Sequence, residues 1–277
     1  AGRGYGGGCV TLNFVDMFTA ADGTPSDYRK WLSDHGHDGT VYNNPFTGKD
    51  PRLYETVLIA GDRYRTRCAE TWIDGLEHGS SANPKCATGF IIRKFLWDYN
   101  DEFLNKATNS AYIRLPELYL MYAEALNELG RSEEALSWLN KTRTRVGLPE
   151  MTLPNAAKIH SEQALPDYPE CSLKGDKYLR EEILDERARE FCFEEVRWFD
   201  IAFWKREDLM RKLLYGIQIT RKSGSFEEGN LVLTYSDPSK MDQGRIWQDK
   251  FSPKWFLSAF PSDEINKGYG LVQNPGW

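Results

Sequence analysis

The sequence predicts a mainly α fold in which a helix-rich region follows a loop-rich one with a few short strands. Three observations carry this. Apolar residues recur at helical spacing over 113–146 and again over 183–203. Long polar connectors punctuated by Pro and Gly separate them. Short strand-like apolar runs occur at residues 53–59 and 89–96.

Taken in order, residues 1–8 form a Gly-rich loop. Its spacing superficially matches a phosphate cradle, but no strand precedes it and no Gly-Lys-Ser/Thr follows. Residues 10–21 are a mixed segment, helical near 13–18, which Ala21-Asp22-Gly23-Thr24-Pro25 breaks. Residues 26–49 are polar and turn-rich. The run 53–59 reads as a strand or a short helix end stopped by Gly61, and 89–96 as a second strand. Between them, residues 64–88 form a long irregular insertion holding Trp72, His78, Cys68 and Cys86; such loops are uncommon in compact domains and often functional.

The helical part begins near Ser110. Ile113, Leu115, Leu118, Tyr119, Tyr122, Ala123, Ala125, Leu126 and Leu129 form a broad apolar face, and Gly130 closes the helix. Ser132 is the N-cap candidate for the next, whose stripe is Ala135, Leu136, Trp138, Leu139 and Val146. Residues 110–148 thus read as a tetratricopeptide-like hairpin, with Ala125, Gly130 and Ala135 small enough for close crossing. One such pair cannot cover its own apolar faces, so its partners must lie elsewhere. After a connector at 149–175, a single helix is expected over 177–204. Ile183, Leu184, Ala188, Phe191, Cys192, Val196, Phe199 and Phe203 form its buried stripe, with interleaved surface charge. The expected organisation is a loop-rich segment at 1–109 and a helical region at 110–277 in one continuous domain.

A formal net charge of -6 provides no basic field for phosphate backbones, which disfavours nucleic acid. No apolar run is long enough for a spanning helix. The five cysteines include no CxxC pair. Cys68 and Cys86 flank a polar stretch; a disulfide clipping that loop and two free thiols both fit.

Catalytic patterns are missing. Glycosidases need two carboxylates facing across a cleft, whereas Glu190, Glu194 and Glu195 lie along one helix surface and read as solvated charge. His35-Gly36-His37-Asp38 lacks further ligands for a metal, and no HExxH or GxSxG occurs. We therefore expect no enzyme, no metal and no cofactor. Aromatic residues reach 13%, and loop-borne rings can stack on the C–H faces of a sugar. Trp72 ranks first, beside Asp74 and near Arg65 and Arg67, followed by Tyr64 and Trp31; the competing role for Trp72 is to pin its own loop. Trp138, Trp198 and Trp204 are expected in the scaffold, and Trp255 and Trp277 against the tail.

Four stretches together carry a resemblance. They are Tyr112-Ile-Arg-Leu-Pro-Glu-Leu-Tyr-Leu-Met-Tyr-Ala-Glu-Ala with the following Ala135-Leu-x-x-Leu-Asn-x-x-Arg; Leu179-Arg-Glu-Glu-Ile-Leu-Asp-Glu-Arg-Ala-Arg-Glu-Phe running into Arg197-Trp-Phe-Asp; the tail Pro261-Ser-Asp-Glu-Ile-Asn with Gln273-Asn-Pro-Gly-Trp277; and Asn44-Pro-Phe-x-x-x-Asp-Pro-Arg-Leu-Tyr. In order and spacing they resemble the SusD/RagB family, and this part of it is the C-terminal one. The resemblance implies a SusD-like α-helical fold with tetratricopeptide-like helix pairs. It also implies a lipoprotein on the external face of the outer membrane of Bacteroidetes, a SusC-like TonB-dependent transporter as partner, and binding without catalysis. Carbohydrate capture in polysaccharide utilisation is the expected function. A peptide-binding RagB-like uptake subunit and a tetratricopeptide-type interaction scaffold are the alternatives. Cys9 follows three glycines and not an apolar run, so the lipid anchor and the N-terminal half of the family pattern are expected outside this chain.

Overall fold

A computed structural model describes residues 8–64, 67–79, 85–95, 111–169, 171–241 and 248–277. The expectations for the Gly-rich opening, for Arg65 and Ser110, and for a boundary at 109/110 lie outside these residues.

In chain order, helices α1 (Leu12–Val15) and α2 (Tyr28–His35) lead into strand β1 (Asp38–Thr40) and helix α3 (Pro51–Thr56). Four two-residue strands follow: β2 (Val57–Leu58), β3 (Arg63–Tyr64), β4 (Arg67–Cys68) and β5 (Ile91–Ile92). The helical region comprises α4 (Leu115–Glu128), α5 (Ser132–Arg145), α6 (Leu153–His160), α7 (Lys177–Glu190), α8 (Val196–Phe203) and α9 (Glu207–Arg211). Strands β6 (Tyr215–Gly216), β7 (Ile219–Ser223), β8 (Val232–Tyr235) and β9 (Ser239–Lys240) come next, then a 3-10 turn at Pro253–Phe256 and α10 (Ser262–Asn266). This is the mainly α architecture with short strands and long loops that the sequence predicts.

The loop-rich region is organised around a three-stranded antiparallel sheet of order β1-β8-β7, so strands far apart in sequence are neighbours. Side-chain caps start its short helices. Asp27 accepts from the Arg29 and Lys30 amides, and Asp50 from the Arg52 amide with Pro51 in the first turn. The run 53–59 resolves into both alternatives: helix through Thr56, then β2, which pairs antiparallel with β5. Phe46 sits central in this core, contacting Tyr28, Phe90 and Tyr235 at ring-centroid distances of 5.9, 5.2 and 5.9 Å.

A second core joins Leu120, Ala123 and Leu126 of α4 to Ala135 and Leu139 of α5 and to Leu179 and Ile183 of α7. Gly130, at φ 80°, lets the chain reverse between α4 and α5, a conformation that costs a residue with a Cβ. Ser132 is not the N-cap. Arg131 occupies that position without a side-chain cap, and the Ser132 hydroxyl donates to Asn127 Oδ1 at 2.8 Å.

Two expectations are corrected here. The helix over 177–204 is interrupted after Glu190, and Phe193 and Glu195 adopt left-handed φ of 60° and 66°. The break lies where Glu190 and Glu194 both turn to Arg114, which charge periodicity alone does not reveal. The apolar stripes are also wider than their covers. Ile113, Leu115, Leu118, Tyr122 and Leu129 around α4, and Phe199 and Phe203 on α8, are exposed. No helix among the described residues is long and apolar enough to cross a membrane.

Candidate functional site: aromatic-bearing loops and an arginine–glutamate cleft

The structure separates the five expected contact residues. Trp72 is only 6% exposed and belongs to the first core, and Tyr64 is 1% exposed. Neither ring has a face to offer, because the insertion folds inward. The Ile73 amide donates to the Ile219 carbonyl of β7 at 2.8 Å, and the Gly61 and Ala69 amides close the loop base on the Ala69 and Asp62 carbonyls. The competing role, Trp72 pinning its own loop, is therefore the one its burial supports; an indole in a core removes a large apolar area from water. Arg67 forms a fork on Glu77 at 2.9 and 2.5 Å, and its guanidinium lies 5.6 Å from the Tyr64 ring centroid. Glu77 also accepts from the Glu70 amide at 2.8 Å. Arg67 thus braces the loop from within.

Asp74 and Trp31 remain at the surface. Asp74 is exposed at the loop tip with φ 65°. Trp31 is half-buried, stacked on His35 at 4.9 Å and edge-on to Tyr235 at 6.3 Å. The sequence reading passed over Tyr42, which is 76% exposed on the turn after β1. Trp31 lies on α2, before β1 in the chain, and Tyr42 on the turn after it. The Asn44-Pro45-Phe46 stretch fixes that turn. Asn44 accepts from the Phe46 amide at 2.9 Å and donates to the Thr40 carbonyl at 3.0 Å.

A larger feature is a cleft of about 950 Å³ between α3, α4, α5 and α7, lined among others by Arg52, Lys94, Arg114, Arg145, Glu190 and Glu194. Glu190 pairs with Arg52, Arg114 and Arg145 at 3.1, 2.9 and 2.7 Å. One turn earlier, Glu186 receives Arg52 at 2.7 Å, Arg189 at 3.0 Å and the Thr142 hydroxyl at 2.9 Å. Glu182 pairs with Arg189 at 2.5 Å, Arg143 at 3.3 Å and His160 at 2.9 Å. Glu194 takes Arg114 at 2.8 Å and Lys94. Glu190 is 5% exposed, which corrects the expectation of solvated helix charge. Burial alone would raise the Glu186 carboxyl, but Arg52 and Arg189 overcome it and hold it well below the usual range. The same balance keeps Glu182 below its ordinary value, and His160 is held above its own because Glu182 outweighs burial.

These four carboxylates are each answered by at least one cation. Their chemistry is cross-linking. Arg52 joins α3 to α7, Arg143 and Arg145 join α5 to α7, and Arg114 ties the start of α4 to the turn after α7. Among the described residues, no group of three or more His, Cys, Asp or Glu forms a metal-holding cluster.

Comparison with known proteins decides the family. A family model for the SusD family matches residues 1–277. The chain belongs to the SusD family. Two SusD-like proteins of Formosa agariphila, P38 and P2, are 32% identical over 98 residues and 36% identical over 100. Each match covers 34% of this chain and 17% of the relative. A SusD-like protein from Bacteroides fragilis (BF3747) superposes with a TM-score of 0.70 at 25% identity, covering 99% of this chain and 48% of that one. The solved protein BT4246 superposes at 0.71 with 22% identity, covering 99% and 45%, a likeness of fold. This chain therefore spans about half the length of these solved SusD-like structures. The SusD stretches quoted from the sequence map onto structural roles. Asp50 and Arg52 of the Asp-Pro-Arg stretch, and the glutamates and arginines of α7, make up the ionic cross-links.

Proposed function

We propose that this chain is part of a cell-surface glycan-capture subunit that holds oligosaccharides before passing them to a SusC-like TonB-dependent transporter, and that it catalyses nothing. The observation carrying the reading is the SusD family match along all 277 residues. The site supports it through the half-buried Trp31 ring on α2 and the exposed Tyr42 ring on the turn after β1. Trp31 and Asp74 are the contact residues retained from the expected set, and Tyr42 joins them. Trp72, Tyr64 and Arg67 act behind the surface by holding the loop that carries Asp74. Lipid anchoring to the external face of the outer membrane completes the proposal.

Ring stacking of this kind gives modest, wet binding. Calorimetric titration of the full-length protein against a panel of oligosaccharides and peptides tests the reading. Saturable binding of a glycan that Trp31→Ala weakens on the order of tenfold, about 1.4 kcal/mol, is the expected result. Binding confined to peptides would move the protein to the peptide-uptake branch, and turnover of the bound sugar would end the non-catalytic reading.

A further inference from the structure

Cys86 is 1% exposed, yet its thiol is not isolated: it and Cys9 are close enough that each is the largest influence on the other's ionisation. The two residues are brought together by the backbone. Cys9 bridges antiparallel to Ile91, with the Val10 amide donating to the Phe90 carbonyl at 3.2 Å and the Ile92 amide to the Gly8 carbonyl at 3.5 Å. Between Cys86 and Ile91 the chain turns through Gly89 at φ 84°, where a Cβ would meet Ile217 at 2.8 Å. On the other side, Cys9 Sγ lies 3.5 Å from the Lys85 carbonyl oxygen, one residue before Cys86. All five thiols are free in this structure, and the partner facing Cys86 is Cys9 and not Cys68.

We propose that Cys9 and Cys86 form a built dithiol site that closes into a disulfide by exchange with a disulfide donor, stapling the segment at residues 8–10 onto β5. The partly exposed Cys9 is the attacking group, and the buried Cys86 resolves. The neighbouring Cys86 outweighs the burial of Cys9, and the Ala87 and Thr88 amides add to it, lowering Cys9 below the ordinary thiol range and favouring it as the attacking group. Cys9 and burial together push Cys86 up.

The exchange balances. Cys9 thiolate attacks one sulfur of a donor R–S–S–R, forming a mixed disulfide and expelling RS⁻. Cys86 then gives up its proton and attacks the Cys9 sulfur, forming the intramolecular bond and expelling the second RS⁻. The two protein thiols are oxidised by two electrons, and the donor is reduced to two thiols. The site works whichever ligand the protein binds. Closing the long loop between residues 9 and 86 restricts the unfolded chain and stabilises the folded one.

Peptide mapping tests this. The full-length protein, purified reduced, is incubated with oxidised glutathione at neutral pH, alkylated, and digested. A linked Cys9–Cys86 peptide, with the other three cysteines alkylated, is expected, together with a raised unfolding temperature that Cys9→Ser abolishes. Cys9→Ser lies at a half-exposed position and so folds. In a Cys86→Ala variant, Cys9 is expected to stall as its glutathione adduct and to be alkylated with a pH midpoint above that of the wild type. A dominant Cys68–Cys86 link, or recovery of both Cys9 and Cys86 fully alkylated after the incubation, would overturn the proposal.

Discussion

Trp72 in the loop-rich region and Glu186 in the helical region are both buried, at 6% and 0% exposure, and opposite physics holds them there. Trp72 enters a core assembled from α1, α2, β7, β8 and the insertion, segments that lie far apart along the chain. Glu186 sits on an α7 that is buried on nearly every side, among guanidiniums from α3, α5 and α7 itself. The first region gains by removing rings from water. In the second, desolvation of each ion is set against several partners at once, and the geometry fixes how four helices meet. Trimming a side chain in the hydrophobic region leaves a cavity, whereas removing a carboxylate from the ionic one unbalances several cations that share it.

The largest effect is therefore expected from Glu186→Ala, which leaves Arg52, Arg143 and Arg189 without their shared partner. Chemical unfolding should show a loss of about 5 kcal/mol, the upper range for breaking a buried pair. If the loss matches that of a surface carboxylate, the ionic description of the helical region is wrong. Trp72→Ala comes next, with about 4 kcal/mol lost to the cavity, and with ligand affinity of the remaining folded protein unchanged. Reduced affinity at unchanged stability would return Trp72 to the ligand site.

Acid titration sharpens the contrast, because the two regions respond with opposite sign. Glu182 and Glu186 have depressed folded values, so their contribution is present above the unfolded value of about 4.3 and is lost as pH falls through the folded values. In the loop-rich region, burial raises Asp16 and Asp62 to about 6. The native state then holds protons that the unfolded state releases, so stability rises as pH falls from about 6 to about 4. His160 is raised by Glu182, so its contribution is present below about 6.5 and is lost as pH climbs through its folded value. Unfolding temperatures should accordingly pass through a maximum on the acid side of neutrality, and Asp62→Asn should flatten the rise between pH 6 and 4. The smallest effect on stability is expected from Lys30→Ala, which breaks the exposed pair with Asp34; the unfolding temperature should stay where it was.

Much of the helical region was legible in the sequence. Apolar spacing and Gly130 located α4 and α5, and the connector at 149–175 was read as such although it contains α6. The interruption after Glu190 was not legible, since Phe191, Val196, Phe199 and Phe203 continue a helical period across it. At the break, Glu190 and Glu194 both bond Arg114, nearly eighty residues upstream. The candidate site was harder still. Loop position and chemistry made Trp72 and Tyr42 equal in kind, and only the approach of β7 to the insertion buried one while the other stayed out.

By itself, the sequence determined the family, the mainly α class, the periodic faces of the helices and the stock of rings and ions available. Each of these follows from local spacing or residue type. Tertiary structure alone decided which rings kept an open face, which glutamates lost their water and which two thiols met. Those outcomes depend on contacts between segments distant along the chain, whose cost and reward no single segment records.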